Sequence, residues 1–301
     1  MATTTTVTSN YAGKEAGVII GKTFKEADTL RLGLVTLLPN VGFKLNMRRI
    51  RYTDGTTAYS CGFTPAGAIV LNERVLEPVK LKNDFQVCKE DFRATWSDDS
   101  MGASASNTMP SDIQEAILAE VLGQTAEDID YKIWQGDDTN PDEWDGFLKQ
   151  FLADAGVIDI DIDAVTEANV EAQLKLALAG IPIALRRKTL NVMVSPDVFQ
   201  AYWFNLVSKG IANGLGGEEK QVKFGRYTLT EVNGLPANTI VIAEPKNLAF
   251  GTGLEADFNN IAIVDEDEVG LLTGMVRGKM VYSGGVNYYN SEEIVWARPI
   301  A

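Results

Sequence analysis

Histidine is missing altogether from the 301 residues. With it go imidazole as a general base, as a metal ligand and as a switch near neutral pH, and so most triad hydrolases and zinc enzymes. Cysteine is scarce: Cys61 and Cys88 cannot fill a four-ligand metal site, and no Cys-x-x-Cys spacing exists for redox exchange. Two buried free thiols in a reducing compartment is the plainer reading, with a disulfide between them as the other. Positive charge is short as well. Lys and Arg number 27 against 41 Asp and Glu, and the net charge of −14 works against a general grip on phosphate backbones. Long apolar runs are also wanting. The most apolar window, Leu30 to Phe43, is interrupted by Arg31, Gly33, Pro39 and Gly42 and falls short of a membrane span. The opening Met-Ala-Thr-Thr-Thr-Thr has neither the basic start nor the apolar stretch of a signal peptide.

What remains is a chain with 45% hydrophobic and 23% charged residues, enough to bury one large core or two smaller ones. The Thr-rich first ten residues predict a flexible tip or an arm ordered by a partner. From Lys44 to Leu71, Leu45, Met47, Arg49 and Arg51 alternate with Asn46, Arg48, Ile50 and Tyr52, and Thr53-Asp54-Gly55-Thr56 supplies a tight turn. Neither face of that strand is cleanly apolar, so the hairpin reads as a projecting loop. The bland alternative is an exposed edge hairpin protected by its charges. Val79, Leu81, Phe85 and Val87 predict a strand, and residues 98–106 a small-residue loop. Ser111 to Gln135 carries apolar residues at three- and four-residue spacings, a helix of about 38 Å at 1.5 Å per residue that stops at Gly136. Gly123 within it marks close packing or a bend.

Beyond the acidic loop 136–146, residues 147–155 form a short apolar segment, and Val157 to Asp163 alternates Ile with Asp as a half-buried strand does. Thr166 to Ala179 predicts a helix. Leu190 to Val194 reads as a buried strand, Ser195 as a helix cap with Pro196 at the first helical position, and Val198 to Val207 as the helix. After a glycine-rich loop at 210–217 the chain is mostly β: 227–232, 239–243, 248–251, 261–264, 271–282 and 286–296.

Few motifs carry chemistry. A Ca²⁺ loop starting at Asp138 needs Gly and Glu where Glu143 and Lys149 stand, and one starting at Asp159 meets Ala164 and Val170. Residues 137–145 therefore read as a solvated acidic surface. Gly251-Thr252-Gly253-Leu254-Glu255-Ala256 has the wording of a dinucleotide loop but lacks the following helix. No phosphate-binding loop or nucleophile elbow exists. Trp134, Trp144, Trp203 and Trp296 fall beside apolar periodic positions and read as core or interface anchors. No catalytic residue, cofactor or metal site is expected.

The order of elements is distinctive: an N-terminal arm, a long hairpin, a strand, a long helix ending in Ile133-Trp134-Gln135-Gly136-Asp137, then Trp144-Asp145-Gly146-Phe147-Leu148, then Val192-Met193-Val194-Ser195-Pro196-Asp197. It resembles the major capsid protein of tailed bacteriophages, the Hong Kong ninety-seven type fold, from about Lys44 onward. The resemblance implies an α+β fold with an N-arm (1–43), an extended E-loop hairpin (44–79), a peripheral domain (80–157 and 258–301, with a spine helix at about 111–135) and an axial domain (158–257). It implies a non-enzymatic subunit of pentamers and hexamers in an icosahedral head around double-stranded DNA, made in a bacterial cytoplasm and ending in the virion. Its partners would be itself, a separate scaffolding protein, since the 43 residues before the hairpin are too few for a built-in one, a portal and a decoration protein. Neither a membrane nor sequence-specific DNA binding is implied. Arg48, Arg49 and Arg51 of the E-loop become the expected inter-subunit contacts, useful against an acidic neighbour. No crosslinking residue carries over. The rival readings are an encapsulin-like nanocompartment shell and an acidic carboxylate- or cation-dependent cytoplasmic enzyme.

Overall fold

The computed structural model describes residues 9–12, 27–52, 55–59, 61–62, 66–89, 111–210, 221–253, 260–267, 269–271 and 273–300, with the backbone alone at 9–12, 111–116, 221 and 260. The expected loops at 98–106 and 211–217, and residues 254–256, lie outside them.

Two six-stranded sheets and one hairpin account for the strands among these residues. In the first sheet β1 (Ser9–Ala12) pairs with β12 (Asn260–Asp265), which pairs with β13 (Met275–Tyr288). The other edge of β13 carries β5 (Val79–Cys88), and its end carries β11 (Leu248–Gly251), which takes β2 (Thr36–Leu38) in parallel. Ser9 and Asn10 thus belong to the sheet rather than to a loose tip. The second sheet runs β6 (Ile158–Asp161), β14 (Val295–Arg298), β10 (Ile240–Ala243), β7 (Asn191–Val194), β9 (Tyr227–Glu231), β8 (Gln221–Phe224).

Alternation explains why the second sheet is apolar on both faces. Val192 and Val194 of β7, Ile240 and Ile242 of β10, and Val295 and Ala297 of β14 enter one core with α4 (Val170–Ala179) and α5 (Pro196–Ser208). The residues between them, Met193, Val241 and Trp296, point the other way, into a core shared with the long helix α2 (Ser111–Gln135) and α3 (Phe147–Ala153). A sheet covered on both faces requires near-continuous apolar strands, and Ile240-Val241-Ile242-Ala243 is one. Along β6 the two Ile are half-buried and the two Asp exposed.

The long helix takes the expected bounds. Its last turns bury Ile129, Ile133 and Trp134 completely, with Trp134 tilted against Phe147 at 5.4 Å. It is tied to α1 (Asp28–Arg31) because the Trp134 indole donates to Thr29 Oγ1 at 2.8 Å. Buried Asp130 accepts from the Thr29 and Gly234 amides at 3.0 and 3.1 Å. Burial pushes its carboxyl up. Gly123 has nothing within 4 Å of where a Cβ would stand, so close packing does not account for it.

Several local expectations yield to tertiary contacts. The strands expected at 271–282 and 286–296 are instead one 14-residue strand to Tyr288, then a short helical turn at Ser291–Glu293 and β14. Ser283-Gly284-Gly285 does not break it, because the glycines let neighbours close in: a Cβ at Gly284 would lie 2.8 Å from the Trp144 ring and one at Gly285 2.9 Å from the Glu77 carbonyl. Residues 258–301 therefore divide between the two sheets, and β11, inside 158–257, belongs to the first. The helix expected from Thr166 begins at Val170, since the Asn169 side chain accepts from the Thr166 amide at 2.7 Å and holds the preceding turn. Ser195 stands at the helix start with Pro196 behind it, but its hydroxyl accepts from the Thr239 amide at 3.2 Å rather than capping the helix. Cys61 is exposed and Cys88 half-buried, both as free thiols, so Cys61 is not the buried thiol expected.

Candidate inter-subunit hairpin

The hairpin consists of β3 (Leu45–Tyr52) and β4 (Ile69–Leu76) in antiparallel register, Leu45 opposite Leu76 and Tyr52 opposite Ile69. Its connection spans residues 53–68, so Asp54-Gly55 does not close it as a two-residue turn. Opposed residues share a face, and the register sorts the side chains into two sets.

The inner set is Leu45/Leu76, Met47/Arg74, Arg49/Asn72 and Arg51/Val70. Met47 and Leu76 are buried beside Val41 and Ala249. Arg74 pairs with Asp154 at the end of α3 and lies 4.1 Å from the centre of the Tyr288 ring. The Tyr288 hydroxyl donates to the same carboxylate at 2.9 Å. Burial pushes Asp154 up, but the Gly156 amide, Arg74 and the Tyr288 hydroxyl outweigh it and hold the carboxyl below its ordinary value. Burial pushes the Tyr288 phenol up to about 12. Further out, Arg49 reaches Glu293 at 3.6 Å and Arg51 reaches Glu292 at 3.1 Å, both on the turn between β13 and β14. Asn287 Nδ2 donates to the Val75 carbonyl at 2.7 Å.

The outer set is Asn46/Val75, Arg48/Glu73, Ile50/Leu71 and Tyr52/Ile69. Its apolar members face solvent: Ile50 and Ile69 are each 70% exposed, Tyr52 63% and Leu71 62%. Arg48 pairs across the strands with Glu73 at 2.7 Å.

The three arginines expected as contacts are therefore not one patch. Two face the chain's own body, the third faces outward, and each has an acidic partner within the chain. Sequence reasoning missed Ile50, Tyr52, Ile69 and Leu71. Their signal was the apolar pair Ile50 and Tyr52 set at alternate positions among the arginines, opposite a second strand whose register the sequence does not state.

The acidic loop is also self-contained. Asp137, Asp138 and Asp145 gather with metal-ligand spacing, but Lys149 Nζ stands among them, 2.8 Å from Asp137 and 2.5 Å from Asp145 and bonded to Asp138. The hydrogen bond from Lys149 holds the Asp137 carboxyl down to about 2, and the three carboxylates push the ammonium up. The ammonium supplies the positive charge that such a cluster needs. Trp134, Trp144 and Trp296 are buried and Trp203 packs against the second core, as anchors should. Among the described residues no helix is long and apolar enough to cross a membrane.

No family model matches the chain, and no curated protein matches it. Solved structures do. The chain is similar to the satellite phage P4 procapsid with its size determination protein, at TM-score 0.61 and 14% identity, covering 94% of this chain and 90% of that one. It is similar to the capsid of a native GTA particle at TM-score 0.60 and 10% identity, covering 92% and 91%. A virus-like particle from Pyrococcus furiosus matches at TM-score 0.54 and 12% identity, covering 95% and 99%. At such identities the likeness is one of fold, carried through nearly the whole of each chain, and the fold is that of the tailed-phage major capsid proteins, the Hong Kong ninety-seven type.

Proposed function

We propose that the chain is a structural shell subunit that assembles into the pentamers and hexamers of an icosahedral tailed-phage head enclosing double-stranded DNA. The observation that carries this reading is the outer face of the hairpin: Ile50, Tyr52, Ile69 and Leu71 lie exposed on an element whose inner face is clamped to its own chain. Exposed apolar area of this kind marks a protein contact, and the partner it suits is a second copy of the chain. The chain's net charge of −14 suits a wall that encloses DNA without gripping it.

In this reading residues 1–43 are the arm, 44–79 the E-loop, 80–157 with 258–301 the peripheral domain and 158–257 the axial domain, with β11 and β14 crossing that boundary. A separate scaffolding protein, a portal and a decoration protein are its further partners, and synthesis in the bacterial cytoplasm precedes incorporation into the virion. The role is structural rather than enzymatic. The rival container, a cellular nanocompartment shell, is not favoured over a phage head by the likenesses to the P4 procapsid and the GTA capsid.

Negative-stain electron microscopy with light scattering on the full chain, alone and with its candidate scaffold, tests the proposal. Closed particles or capsomer rings are expected, and nucleic-acid or protein contents separate the two containers. A persistent monomer or small dimer under both conditions overturns the shell reading.

A further inference from the structure

Glu293 stands where three parts of the chain meet. Its Oε1 faces Arg49 of β3 at 3.6 Å, and its Oε2 accepts from Lys188 Nζ at 2.8 Å. Lys188 follows the short turn Leu185–Arg187 of the second-sheet half and also reaches Glu244, just after β10, at 3.0 Å. One carboxylate thus holds the hairpin with one oxygen and the axial half with the other. Glu292, its neighbour on the same turn, has no such double duty in the described contacts and pairs with Arg51 of the hairpin.

We propose that Glu293 is a positioning residue that couples the inclination of the hairpin to the axial half of the same chain. Fixing a carboxylate rotamer has an entropic cost, and whichever cation binds first bears most of it, so the second binds a group already in place. Arg49 and Lys188 repel each other as like charges, and the shared carboxylate offsets that repulsion by attracting both. Because the one fixed rotamer serves both, each cation is expected to strengthen the hold of the other, against the direct repulsion between them. Burial pushes Glu293 up, but Lys188, Asn290 and Arg49 outweigh it and keep the carboxyl below its ordinary value, in keeping with a site where two cations converge. In a ring of copies, docking of the hairpin on a neighbour would then alter the axial half of the chain that owns the hairpin. That consequence rests on the shell reading, but the coupling itself belongs to the single subunit.

Hydrogen exchange on the full-length subunit, kept too dilute to assemble, reads the coupling. The reporters are the β3 amides and the Lys188 amide, which donates to the Leu185 carbonyl at 2.8 Å. Arg49→Gln is expected to speed exchange at the Lys188 amide, and Lys188→Gln to speed it in β3, each about two- to fivefold. With Glu293→Gln in the background, both cross-effects vanish and the two substitutions become additive. Glu292→Gln speeds β3 alone. If Arg49→Gln leaves the Lys188 amide unchanged while Lys188→Gln leaves β3 unchanged, the coupling does not exist, whether or not shells form. Arg49→Met, which removes the charge but keeps an unbranched apolar stem for packing, serves if the Gln variant unfolds.

Discussion

The strand β10 and the hairpin strands β3 and β4 draw on the same apolar residues and put them to opposite use. Ile240, Val241, Ile242 and Ala243 are all at most 1% exposed, walled by one core on each face. Ile50, Ile69 and Leu71 lie open, and beyond the base of the hairpin, where Met47 and Leu76 are buried, it is held by Arg74, Arg49 and Arg51 reaching acids on the chain's own body. Burial on both faces holds the first region, and ion pairs hold the second beyond its buried base. The difference teaches that one strand of a hairpin can be fastened to its own chain by polar contacts while its apolar side chains stay in solvent, which is the surface the proposed assembly would use.

The comparison is broken most forcefully from the core side. Ile240→Ala removes a fully buried side chain and is expected to cost about 2–5 kcal/mol of subunit stability, read from denaturant unfolding. Leu71→Ala is its control, expected to stay within about 0.5 kcal/mol because the side chain is already in water. A large loss of stability from Leu71→Ala would mean that the hairpin face is part of the subunit's own core.

Next in size is the assembly effect. Ile69→Asp with Leu71→Asp is expected to leave the melting temperature of the subunit nearly unchanged while abolishing particles in light scattering and microscopy. Normal particles from this variant would move the contact surface elsewhere.

Acid sharpens the contrast between the two regions. Asp154 and Glu293 both titrate below their ordinary values of 3.8 and 4.5. Their contribution is therefore complete above those values and is lost as the pH falls through the lower values of the folded chain. Hydrogen exchange corrected for intrinsic rate should show β3 and β4 losing protection below about pH 4 before β10 does. Simultaneous loss in all three strands would contradict an ionic clasp.

The smallest effect is expected at Arg48, whose pair with Glu73 is exposed on both sides. Arg48→Gln should change stability by about 0–1 kcal/mol. Reversing all three arginines to Glu should impair assembly with the subunit still folded, and most of that loss should trace to Arg49 and Arg51, which set how the hairpin lies. An Arg48→Glu variant as defective as the triple would restore the outward charge as the contact.

The sequence by itself determined what depends on neighbours within a few turns. The 3.6-residue spacing fixed the long helix, alternation fixed β6, and Pro196 after Ser195 fixed where a strand gives way to a helix. The hairpin could be seen, as could its unfitness for an ordinary core. Missing histidine and mismatched Ca²⁺ spacing told against the commonest chemistries. Tertiary structure decided everything that rests on a residue far along the chain. Ser283-Gly284-Gly285 reads as a turn until Trp144 and the Glu77 backbone press against it and make it the middle of a strand. Ser195 reads as a cap until the Thr239 amide claims its hydroxyl. The acidic loop is the solvated surface its composition suggests, but only the fold brings Lys149 among its carboxylates. Arg49 and Arg51 read as outward charge until Glu293 and Glu292 take them inward and leave the apolar face open. A periodic pattern says that a strand has two faces, but which face is covered depends on a partner that only folding brings near.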